Sequence, residues 1–177
     1  MPRLRKITGI LGVLVGMFTL MACSDQPESI VYGQDVCAFC KMGITDPRYA
    51  AEIVTRKGRV YKFDSIECMV AATLDGTVDP GEVKRYWVKD WKTQEWVDAR
   101  KAFYLQSSSL RSPMGLNITA FASRKDLEEV KMTYDGMELL FDDLPNVIRQ
   151  SNFLRRVREK HKHMMREMQA GMNPSMD

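Results

Sequence analysis

Apolar and polar positions alternate in short blocks along this chain, and the blocks change period in a repeating order. Residues 49–56, YAAEIVTR, and 59–63, RVYKF, are rich in β-branched and aromatic side chains. Lys57-Gly58 between them suits a hairpin turn, so the pair predicts two antiparallel strands. The next block, DSIECMVAATLDG (64–76), shifts to a helical period: Ile66, Met69, Val70, Thr73 and Leu74 share one face. Asp64 followed by Glu67 predicts a capping box at its start, and Gly76 a stop. KRYWVKDW (84–91) then predicts a third strand after a DPGE turn.

The second half repeats this order. EWVDA (95–99), KAFYLQ (101–106) and LNITAF (116–121) are strand-like. SRKDLEEVKM (123–132) is helical, with Ser123 as its cap and Asp126 as the box partner, and MELLF (137–141) closes with a strand. Both halves place a strand ending in Phe (Phe63, Phe121) directly before a capped helix. The expected fold is therefore α+β: two small β-β-α-β modules with antiparallel sheets, about 35–91 and 92–142. From Asp143 the pattern becomes one long amphipathic stripe through Val147, Ile148, Ser151, Leu154, Val157 and His161 to Met168. It predicts a single long C-terminal helix running into a Met/His-rich tail, stopped by Gly171 and Pro174.

The start of the chain changes the picture. Arg3, Arg5 and Lys6 precede an apolar run from Ile7 to Met21 that is short for a membrane span. Residues 1–22 are expected to be a signal peptide and to take no part in the fold. Residues 20–23, LMAC, resemble the lipobox of bacterial lipoproteins, which implies acylation of Cys23, a lipid-anchored tether over 23–34 and a periplasm-facing protein in the bacterial envelope. Multiple acyl chains on one residue anchor a protein firmly without a transmembrane helix.

Charge excludes one class of partner. The chain has 26 Lys and Arg against 23 Asp and Glu; with the three basic residues of the leader removed, the remainder balances, and nothing asks for nucleic acid. The basic residues cluster between Arg149 and Met168.

Apart from Cys23 the cysteines are Cys37, Cys40 and Cys68, an odd number that does not fit a disulfide framework. Cys37 and Cys40 form a C-x-x-C turn with Met42 two residues on. Thiolate and thioether donors select Cu(I) over harder ions. A structural zinc site needs four Cys or His ligands, and here would have to recruit Cys68 and a histidine. A thiol-disulfide oxidoreductase is the third reading, although a redox C-x-x-C usually opens a helix, and this one precedes any clear strand. Cys68 lies about 200° from Ile66 around its helix, off the apolar stripe, so it faces either the cysteine loop or solvent. Met114 stands between Pro113 and Gly115 in a polar loop, where packing does not require it. In the tail, His161, Met164, Met165 and Met168 share a face, with His163, Met172 and Met176 nearby. They suit a packed helix end, a second copper-collecting arm, or a basic face for an anionic membrane.

The segments CAFCKMGI, VYKFDSIECM, VKDWKTQEWVDARKAFYL and SPMGLNITAF together resemble the NosL family, copper-carrying lipoproteins associated with maturation of nitrous oxide reductase. The resemblance spans about residues 35–141. It implies two similar β-β-α-β modules, Cu(I) bound through Cys37, Cys40, Met42 and Met114, and transfer to nitrous oxide reductase or its assembly transporter. A cysteine at the position of Cys68 is found in some relatives and not others. The resemblance implies a metallochaperone without catalytic turnover. The modules also resemble part of organomercurial lyases, in which Cys37, Cys68 and Asp64 could be cast as the reactive groups.

Overall fold

The computed structural model describes residues 25–171. The signal segment, Cys23, Met172 and Met176 lie outside the described residues.

Two antiparallel sheets form the frame. The first contains β1 (Ala51–Thr55), β2 (Val60–Phe63), β3 (Val83–Lys89) and β4 (Trp96–Asp98) in the order β2-β1-β3-β4. The second contains β5 (Phe103–Gln106), β6 (Ile118–Phe121) and β7 (Met137–Leu139) in the order β6-β5-β7. In each unit the first strand is central, its hairpin partner lies on one side, and the strand after the helix lies on the other. The β-β-α-β repeat is thus a repeat of topology. One strand departs from the expected allocation. β4 pairs with β3, Trp87 opposite Asp98 and Lys89 opposite Trp96, and so extends the first sheet. The two sheets part in the turn after Asp98, where Tyr104 Oη donates to Ala99 O at 2.6 Å.

α1 (Ile66–Leu74) and α2 (Arg124–Tyr134) follow the Phe-ending strands, as the pattern predicts. Ser123 caps α2 by accepting from Asp126 N. At α1 the cap is Ser65, not Asp64: its side chain accepts from Cys68 N at 3.2 Å. This one-residue correction frees Asp64 from capping. It also frees Glu67, the expected box partner, which is buried and serves elsewhere. α1 is buried along Ile66 to Ala72, so its off-stripe face meets protein and not solvent.

The expected single C-terminal helix is two: α3 (Leu144–Gln150) and α4 (Phe153–Gly171). Asn152 adopts a left-handed conformation (φ 56°), and Ser151 Oγ donates to Ile148 O at 2.9 Å. Asn accepts that conformation more readily than most residues, and the break turns Phe153 into the core. Phe153 is 1% exposed and stacks on Phe39 of the cysteine loop, ring centroids 6.3 Å apart.

Most of the core is continuous across both sheets, from Ile53 and Val88 through Met69 to Ile118 and Ile148. A smaller cluster, Leu105, Leu110, Phe121, Leu127 and Val130, lies under α2. Asp90 clamps the sheets together: its carboxylate accepts from Ala122 N at 2.7 Å, and Trp91 N donates to Ala120 O at 2.8 Å. The tether is pinned from Asp25 onward. Asp25 pairs with Arg85 at 3.1 Å, and its carbonyl accepts from Trp87 Nε1 at 2.8 Å.

Candidate metal centre

The cysteine loop is a tight return of the chain. Val36 bridges Gly43, Cys37 N donates to Met42 O at 2.8 Å, and Lys41 N donates to Cys37 O at 3.1 Å. Lys41 has φ 63°, which closes the turn. Ala38 N donates to Lys62 O at 2.8 Å and ties the loop to β2. Asp64 follows the end of that strand, and Cys68 lies one helical turn further on. These connections bring Cys37, Cys40, Cys68 and Asp64 together, one ligand atom from each within 4.8 Å of the others. All four are buried. Cys68 therefore faces the cysteine loop, one of the two orientations its helical position allows.

The electrostatics are those of a cage prepared for a cation. Burial opposes a charge on Cys37, but the Cys40 and Cys68 thiols and the N–H of Cys40 surround its sulfur and together hold its pKa well below that of an ordinary thiol. Cys37, reinforced by burial, pushes Cys40 up; burial first, then Cys37, pushes Cys68 well up. Burial and the negative charge beside it raise Asp64 to about 7. Cys40 Sγ donates to Asp64 Oδ2 at 3.3 Å, while Asp64 Oδ1 is buried without a hydrogen-bond partner. Three soft sulfur donors at one buried point fit a soft metal ion, and the carboxylate oxygen beside them is left without a partner.

The two expected thioethers meet α4. Lys160 Nζ donates to Met42 Sδ at 3.1 Å. Met114 lines a cavity of about 160 Å³ with Pro113, Phe153, Arg156, Val157 and Lys160. One lysine thus stands at both. The Met114 turn is fixed from α1: Ser112 Oγ and Leu116 N, the latter at 3.2 Å, both donate to Glu67 Oε1. Gly115 takes φ 78° in that turn, a conformation that favours glycine. α4 also reaches the backbone of the cysteine loop, since His161 Nε2 lies 2.8 Å from Cys40 O.

Sequence reasoning grouped Asp64 with Cys37 and Cys68 only through the lyase resemblance and not as part of a metal cluster, and it did not find the roles of Glu67, Lys160 and His161. For Asp64 a signal existed: Ser65 next to it is as good a cap, which leaves the aspartate available.

The fold and this cluster define a small α+β protein with a buried thiol-carboxylate site suited to a soft metal. The sequence model of the NosL family matches residues 29–148, and the chain belongs to that family. It is 27% identical over 161 residues, 80% of this chain and 81% of the other, to the copper-binding lipoprotein NosL of Stutzerimonas stutzeri. It superposes on the crystal structure of the copper chaperone NosL from Shewanella denitrificans with a TM-score of 0.60 and 27% identity, over 68% of this chain and 96% of that one. These relatives are named for copper binding and not for an enzymatic activity. α4 lies beyond the family match. Among the described residues no helix is long and apolar enough to cross a membrane.

Proposed function

We propose that the chain is a metallochaperone that carries Cu(I) on Cys37, Cys40 and Cys68, with Met42 and Met114 as exchangeable thioether ligands. The observation that carries this reading is the convergence of three buried thiols at one point. Thiolates supply affinity for a soft ion, and thioethers on separate loops bind without losing a proton, so they can be traded one at a time with a recipient. Asp64 is a hard donor and is not needed as a copper ligand. Its hydrogen bond from Cys40 places a base where a thiol must lose its proton when metal binds.

Delivery to nitrous oxide reductase or its assembly transporter is the role we favour, supported by the family. Anchoring through an acylated Cys23 is supported by the lipobox and by the lipoprotein relative. Asp25 lies two positions after Cys23, a step of at most about 7 Å. An acyl anchor would therefore hold the Arg85–Trp87 corner of the first sheet close to the bilayer, with the protein facing the periplasm.

Competition titration against a Cu(I) chelator tests the reading. One equivalent should bind tightly, and changing Cys37, Cys40 and Met114 together should abolish that binding. Unchanged affinity in this variant would overturn it.

Zinc is the second reading, and one observation favours it: Asp64 completes a four-donor set with the three cysteines, where the sequence reading looked for a histidine. Metal analysis of protein purified under reducing conditions separates the two. One zinc that resists Cu(I) supports the zinc reading. For a thiol-disulfide oxidoreductase the structure offers less: the Cys37–Cys40 pair sits on a turn and not at a helix start.

A further inference from the structure

We propose a second and weaker Cu(I) site on α4, formed by His161, Met164, Met165 and Met168 and bordering the thiol centre. The proposal rests on the copper reading above and extends it to a part of the chain outside the family match. The four residues fall at i, i+3, i+4 and i+7, one face of the helix. They line a single cavity of about 380 Å³, together with only Lys41 of the cysteine loop.

A packed helix end would bury these methionines, but the structure half-buries Met164 and leaves the other two exposed. Met165 is 55% exposed and Met168 is 61% exposed. Earlier along the same stripe, Phe153 and Val157 are buried, so the helix stops packing where the methionines begin. His161 is held for the task. A carbonyl oxygen only accepts, so the 2.8 Å contact to Cys40 O puts the ring proton on Nε2 and leaves the Nδ1 lone pair free for a metal.

One imidazole and three thioethers are neutral donors of the kind that select a soft ion. Without a thiolate they hold it less tightly than the cysteine cluster. The basic residues that share cavities with His161, Lys41 and Arg158, oppose a divalent ion more than a monovalent one. Because His161 is hydrogen-bonded to a residue of the thiol centre, an ion collected on α4 has only the width of the cysteine loop to cross.

The test uses the full chain in detergent, carrying Cys23→Ser so that no stray thiol competes. Anaerobic titration with Cu(I) should show two equivalents, one tight and one weaker. The variant His161→Ala, Met164→Leu, Met165→Leu, Met168→Leu keeps the helix and should lose the weaker equivalent, with the tight affinity unchanged within about two-fold. Methyl NMR with Ag(I) should shift Met164, Met165 and Met168 only on the second equivalent. A single equivalent in the parent, two in the quadruple variant, or methyl signals that do not move would overturn the proposal. Failure of the thiol reading looks different: Cys37→Ser, Cys40→Ser, Cys68→Ser would then keep the tight equivalent, while the methyl shifts still decide the α4 site.

Discussion

Glu67 reaches from α1 to Ser112 and holds the loop of the second unit against the helix of the first. The same carboxylate oxygen accepts from Leu116 N, so the Pro113-Met114-Gly115 turn is bracketed by two bonds to one buried residue. Cys68 is the next residue along α1. One turn of helix therefore supplies a thiol to the site and sets the position of a distant thioether.

This relationship predicts a split between Glu67→Ala and Glu67→Gln. The alanine variant leaves Leu116 N and the Ser112 hydroxyl proton without an acceptor, at a cost of about 1–3 kcal/mol for each buried donor. It should also lower Cu(I) affinity about ten-fold, roughly 1.4 kcal/mol, by loosening Met114. Gln keeps the accepting oxygen and should retain most of the affinity. If Met114 is the route, Glu67→Ala adds nothing in a Met114→Leu background, which a double-mutant cycle measures.

Lys160 places a positive charge on the Met42 sulfur. A copper ion has to displace that ammonium from the thioether lone pair and tolerate its charge. At high effective dielectric a unit charge at such a distance contributes about 1 kcal/mol. Lys160→Gln should raise Cu(I) affinity about five-fold in a chelator competition. Unchanged or weaker binding would show that Met42 is not a ligand.

Phe153 fastens α4 over the cysteine loop through its contact with Phe39. Phe153→Ala should cost about 3 kcal/mol of stability, the usual loss for a buried aromatic ring. It should also speed transfer of Cu(I) to a chelator, measured by stopped flow, because the helix no longer closes over the loop. Slower or unchanged transfer would mean that the metal leaves by another face.

Glu52 lies buried in β1, and burial raises its pKa from 4.5 to about 7 against the hydrogen bond from Glu28 N. The folded state thus holds a proton that the unfolded state releases above pH 4.5. The resulting stability is complete below about pH 4.5 and is lost as pH rises through about 7. Glu52→Gln should flatten this dependence and be more stable than wild type above pH 7, by about 3 kcal/mol. Urea unfolding at several pH values checks both the slope and its disappearance.

Period and punctuation alone marked the strands and the first two helices, since half-buried strands and amphipathic helices leave those signatures locally. The 200° offset of Cys68 from the Ile66 stripe already pointed away from the predicted core. What local pattern does not encode is which surfaces meet. Cap selection between Asp64 and Ser65, the pairing of β4 with β3, and the bonds Glu67–Ser112 and His161–Cys40 depend on tertiary contact. The break at Asn152 was present as a Ser-Asn pair inside an otherwise continuous stripe. The stripe ran past it because Ser151 and Leu154 keep the helical spacing, and because the partner that Phe153 stacks on, Phe39, lies far away in the sequence.

The central claim is that Cu(I) sits among the sulfurs of Cys37, Cys40 and Cys68, completed by thioethers. X-ray absorption at the copper edge, on the full chain carrying one equivalent, tests it most directly. The account predicts a Cu(I) edge with a shell of sulfur alone, which loses thiolate scatterers in Cys68→Ser. A shell dominated by nitrogen or oxygen, or a spectrum that Cys68→Ser leaves unchanged, would contradict it.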